Sequence, residues 1–147
     1  MSKSTAPVST TVRVAWHSGL RFDVHGATGA PTIIDGHKTA GTGPVDTLLG
    51  ALAACSAIDV LGYFDKRRTP AAKLEVVVTA ERRAQAPRRV LRAQLEFRIE
   101  GAEIDAEHAE RAIELSVEQY CSVAASLARD LAISTVLVLN GVPSAAR

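Results

Sequence analysis

Aromatic residues are scarce in this chain: one Trp, two Tyr and three Phe make up 4% of 147 residues. Few aromatics are therefore available for the stacked platforms that hold single-stranded nucleic acid. Excess charge is also missing. Seventeen Lys and Arg against sixteen Asp and Glu leave a net charge of +1, well short of the basic surplus that phosphate neutralisation calls for. No Walker sequence and no dinucleotide glycine fingerprint occurs, so nucleotide use is not indicated. The four histidines, at 17, 25, 37 and 108, are scattered, and none has a second His or Cys at ligand spacing, which argues against zinc.

Long apolar runs are absent too. The longest, Leu48 to Ile58, is interrupted by Gly50 and Ser56 and falls short of the ~18 apolar residues of a membrane span. The N-terminus, Met1-Ser-Lys-Ser-Thr-Ala-Pro7, has no apolar segment of the secretory kind. A soluble, cytoplasmic protein is expected, and in that compartment its two cysteines read as free, catalytic or redox-active rather than as a permanent staple.

What is present is a pattern of elements. With 47% apolar residues, the length suits one domain with a real core. Residues 1–10 read as a loose tail and 11–143 as a single domain. From Thr11, alternation of Val12, Val14 and Trp16 with Arg13 and His17 predicts a half-buried strand. Gly19 suits a turn, Arg21 to His25 a returning strand, and Thr32 to Ile34 a short third one within a Gly-, Thr- and Pro-rich loop. A helix opens at Pro44, where a missing N–H costs nothing, and ends before Pro70. Its middle, Gly50-Ala-Leu-Ala-Ala-Cys55-Ser-Ala, is apolar nearly all round and predicts burial on most sides.

Two alternating strands come next, Leu74 to Ala80 and Leu91 to Ile99, joined around Pro87 as a hairpin. Arg82, Arg83, Arg88 and Arg89 flank that turn and read as a solvated end. Asp105 is placed to cap a helix reaching about Gln119. Cys121 then stands at the entry to a shorter helix, Ser122 to Arg129, and Ile133 to Leu139 forms the last strand. The order points to an α+β domain.

Cys55, inside the most apolar helix, has a packing reading beside a redox one, because free cysteine behaves as a small hydrophobe. Cys121, at a helix start, has unpaired N–H groups nearby that favour a thiolate. The segment Gly41-Thr-Gly-Pro44-Val-Asp-Thr-Leu48-Leu-Gly-Ala-Leu-Ala-Ala-Cys55 resembles the signature of the OsmC/Ohr family. Ser56-Ala-Ile-Asp59-Val and the Lys66-Arg67-Arg68 tail look nearest to that family's YhfA-like branch. Leu115-Ser-Val-Glu-Gln-Tyr120-Cys121-Ser-Val resembles its second cysteine motif. The likeness runs from Val12 to Val138.

The resemblance implies an intertwined homodimer whose antiparallel sheets wrap around a buried central helix, with an active site at each subunit interface. It implies that Cys55 attacks the O–O bond of an organic hydroperoxide. Cys121 then resolves the sulfenic acid as a disulfide, which an external dithiol reduces. Neither metal nor organic cofactor is implied, and neither nucleic acid nor membrane is a partner. The family's arginine corresponds to Arg21, with Arg13 as the alternative. At the family's glutamate the chain has Val45. The nearest carboxylate, Asp46, reads either as that support or as an acid favoured by the helix dipole. Asp59, one turn beyond Cys55, would oppose a thiolate unless paired. Tyr120 reads either as pocket lining or as a packed aromatic. The alternative function is a dimer of the same fold without peroxidase activity, binding or sensing a small apolar or electrophilic ligand.

Overall fold

The computed structural model describes residues 5–144, so the first four residues of the expected tail lie outside it. Residues 5–12 form neither strand nor helix. The contacts divide the chain into two units, one ending at Leu48 and the other beginning at Leu49.

The first unit is an antiparallel three-stranded sheet in the order β1-β2-β3: β1 (Arg13–Ser18), β2 (Arg21–His25) and β3 (Thr32–Asp35). Trp16 pairs with Phe22 across the first hairpin, and Gly19 takes the positive φ of its turn. The expected apolar face of β1 is formed but not covered. Val12, Val14 and Trp16 are exposed, Trp16 by 67%. The strand is therefore not half-buried in the single chain; a three-stranded sheet has two faces, and this one is left bare.

After β3 the chain folds around one carboxylate. Asp35, buried, accepts hydrogen bonds from the N–H groups of His37, Thr39 and Ala40 and from the Thr39 hydroxyl. The N–H groups of Ala40 and His37 foremost hold its carboxyl far below the usual aspartate range. The loop returns through Gly41, where a Cβ would lie 2.5 Å from the Ile33 carbonyl oxygen. Only glycine lets the two backbones approach so closely.

The second unit carries the core. Its sheet runs β4 (Lys73–Arg82), β5 (Val90–Glu100), β6 (Ala132–Leu139) and β7 (Val142–Pro143), in that order. The hairpin β4–β5 and the short pair β6–β7 are antiparallel, but β6 lies parallel to β5. The second sheet is thus mixed rather than antiparallel throughout. The connection from β5 passes through helices, and such a crossover is what allows parallel pairing. On β5, Val90, Ala93, Leu95, Phe97 and Ile99 turn inward. Val90 rather than Leu91 does so because the register slips opposite Glu81 and Arg82, leaving Leu91 as an extra residue in a bulge.

Three helical stretches pack with this sheet. Helix α1 (Pro44–Arg67) sends Leu52, Val60 and Phe64 into the cluster formed by Leu95, Phe97 and Ile113. Each such side chain contributes about 1.5–3 kcal/mol when removed from water. Helix α2 (Ala106–Leu115) begins at Asp105, whose carboxylate accepts the His108 N–H at 2.9 Å as expected of an N-cap. The helix then widens into a π-helical turn, Ser116–Tyr120, before Cys121 and the short α3 (Ser122–Ser126). The expected helix from Ser122 to Arg129 therefore stops earlier.

Helix α1 is 24 residues long and apolar enough, by length and composition, to cross a membrane. Its stripe at Leu52, Ser56, Val60 and Phe64 is fully buried in the protein core, which is the behaviour of a core helix. The other sides are not covered: Leu48, Ile58 and Leu61 are exposed. Burial on most sides is thus not achieved within one chain, because a single sheet covers only one stripe of a helix.

Candidate active site at Cys55 and Cys121

The site grows from the four-residue spacing of the α1 stripe. Leu52, Ser56, Val60 and Phe64 recur every fourth residue, so all four share one buried face. Ser56 is the polar member of that stripe and is 0% exposed. A hydroxyl so placed is costly unless bonded, and its partner is a sulfur: Ser56 Oγ donates to Cys121 Sγ at 3.5 Å. Cys55, one residue away on the same turn, is half-buried and packs at the margin of the core.

Cys121 reaches this position through the π-helical turn. Its N–H donates to the Ser116 carbonyl at 2.7 Å, five residues back. The wider ring adds a residue to the turn and re-aims the chain beyond it, a device often found at functional positions. Cys121 is 2% exposed, and its sulfur also accepts the Ala124 N–H at 3.3 Å. Both cysteines are free thiols. The turn is pinned to α1 from the other side: Ser116 Oγ donates to Asp59 Oδ2 at 2.9 Å and lies 3.3 Å from the Ser56 carbonyl oxygen. Asp59, which the sequence marks as a charge opposing a Cys55 thiolate unless paired, is thus engaged with a hydroxyl. Neither Ser56 nor Ser116 stood out in the sequence. The available signal was a serine at stripe spacing between Leu52 and Val60, where burial demands a partner.

A groove of about 520 Å³ opens between α1 and the π-helical turn, lined by Ile58, Asp59, Gly62, Tyr63, Leu115 and Tyr120 among others. Ile58, Asp59 and Gly62 stand three, four and seven residues beyond Cys55, on the helix face that Cys55 begins. Tyr120 lines this groove and is largely exposed rather than packed away. Among the described residues no group of three or more His, Cys, Asp or Glu is arranged as metal ligands would be.

The two remaining candidates belong to the first unit. Arg21 makes a long contact from its terminal nitrogen to Asp23 Oδ1 at 3.4 Å, and its Nε is buried without a partner among the described residues. Asp46 pairs with Lys38 Nζ at 2.6 Å and accepts the Gly43 N–H at 3.3 Å. These contacts hold Asp46 at the start of α1. Val45 is half-buried beside it.

The family model described as OsmC-like protein matches residues 36–136. The chain belongs to the OsmC-like family. Protein YhfA of Escherichia coli K12 is 37% identical over 123 residues, spanning 83% of this chain and 92% of that protein. Protein YhfA of Shigella flexneri aligns to the same extent. The crystal structure of an OsmC-like protein from Mycoplasma pneumoniae is 17% identical, with a TM-score of 0.77 over 91% of this chain and 99% of that one. The organic hydroperoxide resistance protein OhrB of Bacillus subtilis is 13% identical, with a TM-score of 0.58 over 88% and 98%. These two share the fold with this OsmC-like chain. The likeness to YhfA agrees with the branch to which Ser56-Ala-Ile-Asp59-Val and the basic tail of α1 point.

Proposed function

We propose that this OsmC-like protein is a thiol peroxidase that reduces organic hydroperoxides through Cys55 and Cys121. The observation that carries the proposal is the 3.5 Å contact between Ser56 and the Cys121 sulfur, which brings the second thiol to the helix turn that bears the first. The Cys55 thiolate attacks the terminal peroxide oxygen, the O–O bond breaks, and an alcohol leaves as Cys55 becomes a sulfenic acid. Cys121 attacks that sulfur and expels water, and the disulfide is returned to two thiols by an external dithiol, which is itself oxidised. No metal or organic cofactor enters these steps.

Arg21 is assigned to the Cys55 thiolate and the peroxide oxygens. The support is its buried, unpartnered Nε together with the family resemblance. Asp46 is kept as a supporting carboxylate acting through the first turn of α1. The largely apolar and aromatic groove beyond Cys55 favours organic over inorganic peroxide. The acting species is a cytoplasmic homodimer of one domain, residues 11–143. The bare faces of β1 and α1, with Trp16, Ile58 and Leu61 exposed, support that assembly.

A second reading is favoured by Val45 at the family's glutamate position and by the engagement of Asp46 with Lys38. In it the dimer lacks peroxidase activity and holds a small apolar or electrophilic ligand. The test is turnover of cumene hydroperoxide with dihydrolipoamide as reductant. The peroxidase reading expects consumption by the parent and none by Cys55→Ser. Equal, near-background rates in both would favour the ligand-binding dimer.

A further inference from the structure

Two donors converge on one of the two sulfurs. Ser56 Oγ and the Ala124 N–H lie 3.5 Å and 3.3 Å from Cys121 Sγ. Ser56 and Cys121 are both buried, so the first of these bonds is made away from water, and the second is part-buried. Among the described residues from Leu49 onward, no donor is directed at the Cys55 sulfur. Cys55 is the more accessible of the two. A neutral thiol is a weak acceptor, whereas a thiolate is a strong one. The buried Ser56 hydroxyl therefore gains its full partner only when Cys121 carries the charge.

We infer that Ser56, acting with the Ala124 N–H, is a positioning residue that fixes the direction in which the Cys55–Cys121 disulfide opens: the reductant takes Cys55, and Cys121 leaves. The inference rests on the disulfide cycle proposed above. In exchange, a thiolate of the dithiol forms a bond to Cys55 Sγ as the Cys55–Cys121 bond breaks. The electron pair goes to Cys121 Sγ, which comes to rest against the two donors and later takes a proton from solvent. The second thiol of the reductant then attacks its own mixed disulfide, freeing Cys55 as a thiolate and closing the dithiol into a disulfide. Both features of the site favour this order, since exchange is fastest at the reachable sulfur and with the better-stabilised leaving thiolate.

The experiment makes the disulfide with diamide, which needs no peroxide, and opens it with glutathione. Quenching with N-ethylmaleimide in the first turnover is followed by peptide mass mapping of the parent and of Ser56→Ala. The parent should carry glutathione on Cys55 and maleimide on Cys121. Ser56→Ala should open about tenfold more slowly, the size expected for one lost hydrogen bond to a charged group, and should place part of the glutathione on Cys121. Glutathione on Cys121 in the parent would overturn the assignment, and that site is read whether or not Ser56→Ala folds. An unaltered rate and partition in a folded Ser56→Ala would overturn it too, as would a protein that diamide cannot close. A chain that passes this test but ignores cumene hydroperoxide keeps the directed disulfide and loses the peroxidase.

Discussion

Ser116→Ala removes one oxygen from the junction between α1 and the π-helical turn, and its effect can be worked from the geometry. Ser116 is fully buried, and its hydroxyl meets the Asp59 carboxylate at 2.9 Å. Hydrogen bonds to charged acceptors are worth ~1.5–3 kcal/mol, and the partial exposure of Asp59 argues for the lower end. The better helix propensity of Ala offsets a few tenths of that. The net loss is about 1–1.5 kcal/mol, which for a chain of this size lowers the melting temperature by roughly 3–6 °C. Asp59→Ala should cost a similar amount, and the double variant should cost little more than either single one, leaving a coupling of about 1 kcal/mol. Thermal and urea unfolding followed by circular dichroism, at one fixed protein concentration because assembly adds to apparent stability, would measure the cycle. Strictly additive losses, or a Ser116→Ala protein melting with the parent, would refute the claim that this bond clamps the turn to α1.

Three other outcomes are expected. If Arg21 serves Cys55 as proposed, Arg21→Ala should slow alkylation of Cys55 by iodoacetamide at neutral pH by roughly tenfold; an unchanged rate would count against that role. Asp35→Asn should destabilise the protein most at neutral pH. The folded Asp35 carboxyl is held below its ordinary 3.8, so its stabilisation is present above that value and is lost as pH falls beneath it. The gap in melting temperature between parent and variant should therefore narrow as pH drops from about 6 to about 3. Trp16→Asp should shift the proposed dimer toward monomer in light scattering, because the bare face of β1 would carry a charge.

Local chemistry was the legible part of the sequence. Pro44 opens α1, Asp105 caps α2, and Arg21–His25 is a strand within the limits expected after the Gly19 turn. Each depends on residues close together in sequence. The parallel seating of β6 on β5 was not legible, because a strand's periodicity says which face is buried and not which neighbour it has. The π-helical turn was hidden as well, since the run Leu115-Ser-Val-Glu-Gln-Tyr120 continues a helical pattern without a break. The exposure of Val14 and Trp16 reflects the same limit: the pattern marks an apolar face, and what covers it lies outside the strand. At the candidate site, the motif pointed to Cys55 and Cys121. The serines that tie the turn bearing Cys121 to α1, Ser56 and Ser116, were apparent only once the long-range contacts between α1 and the turn were seen.

The central claim is a redox pair, and a thiol count tests it most directly. Reduced protein would receive one equivalent of cumene hydroperoxide, with Cys55→Ser and Cys121→Ser alongside, and free thiols would be titrated under denaturing conditions. Loss of both thiols in the parent, with the remaining thiol of Cys55→Ser untouched, is the predicted result. Survival of both thiols in a folded parent would contradict the account.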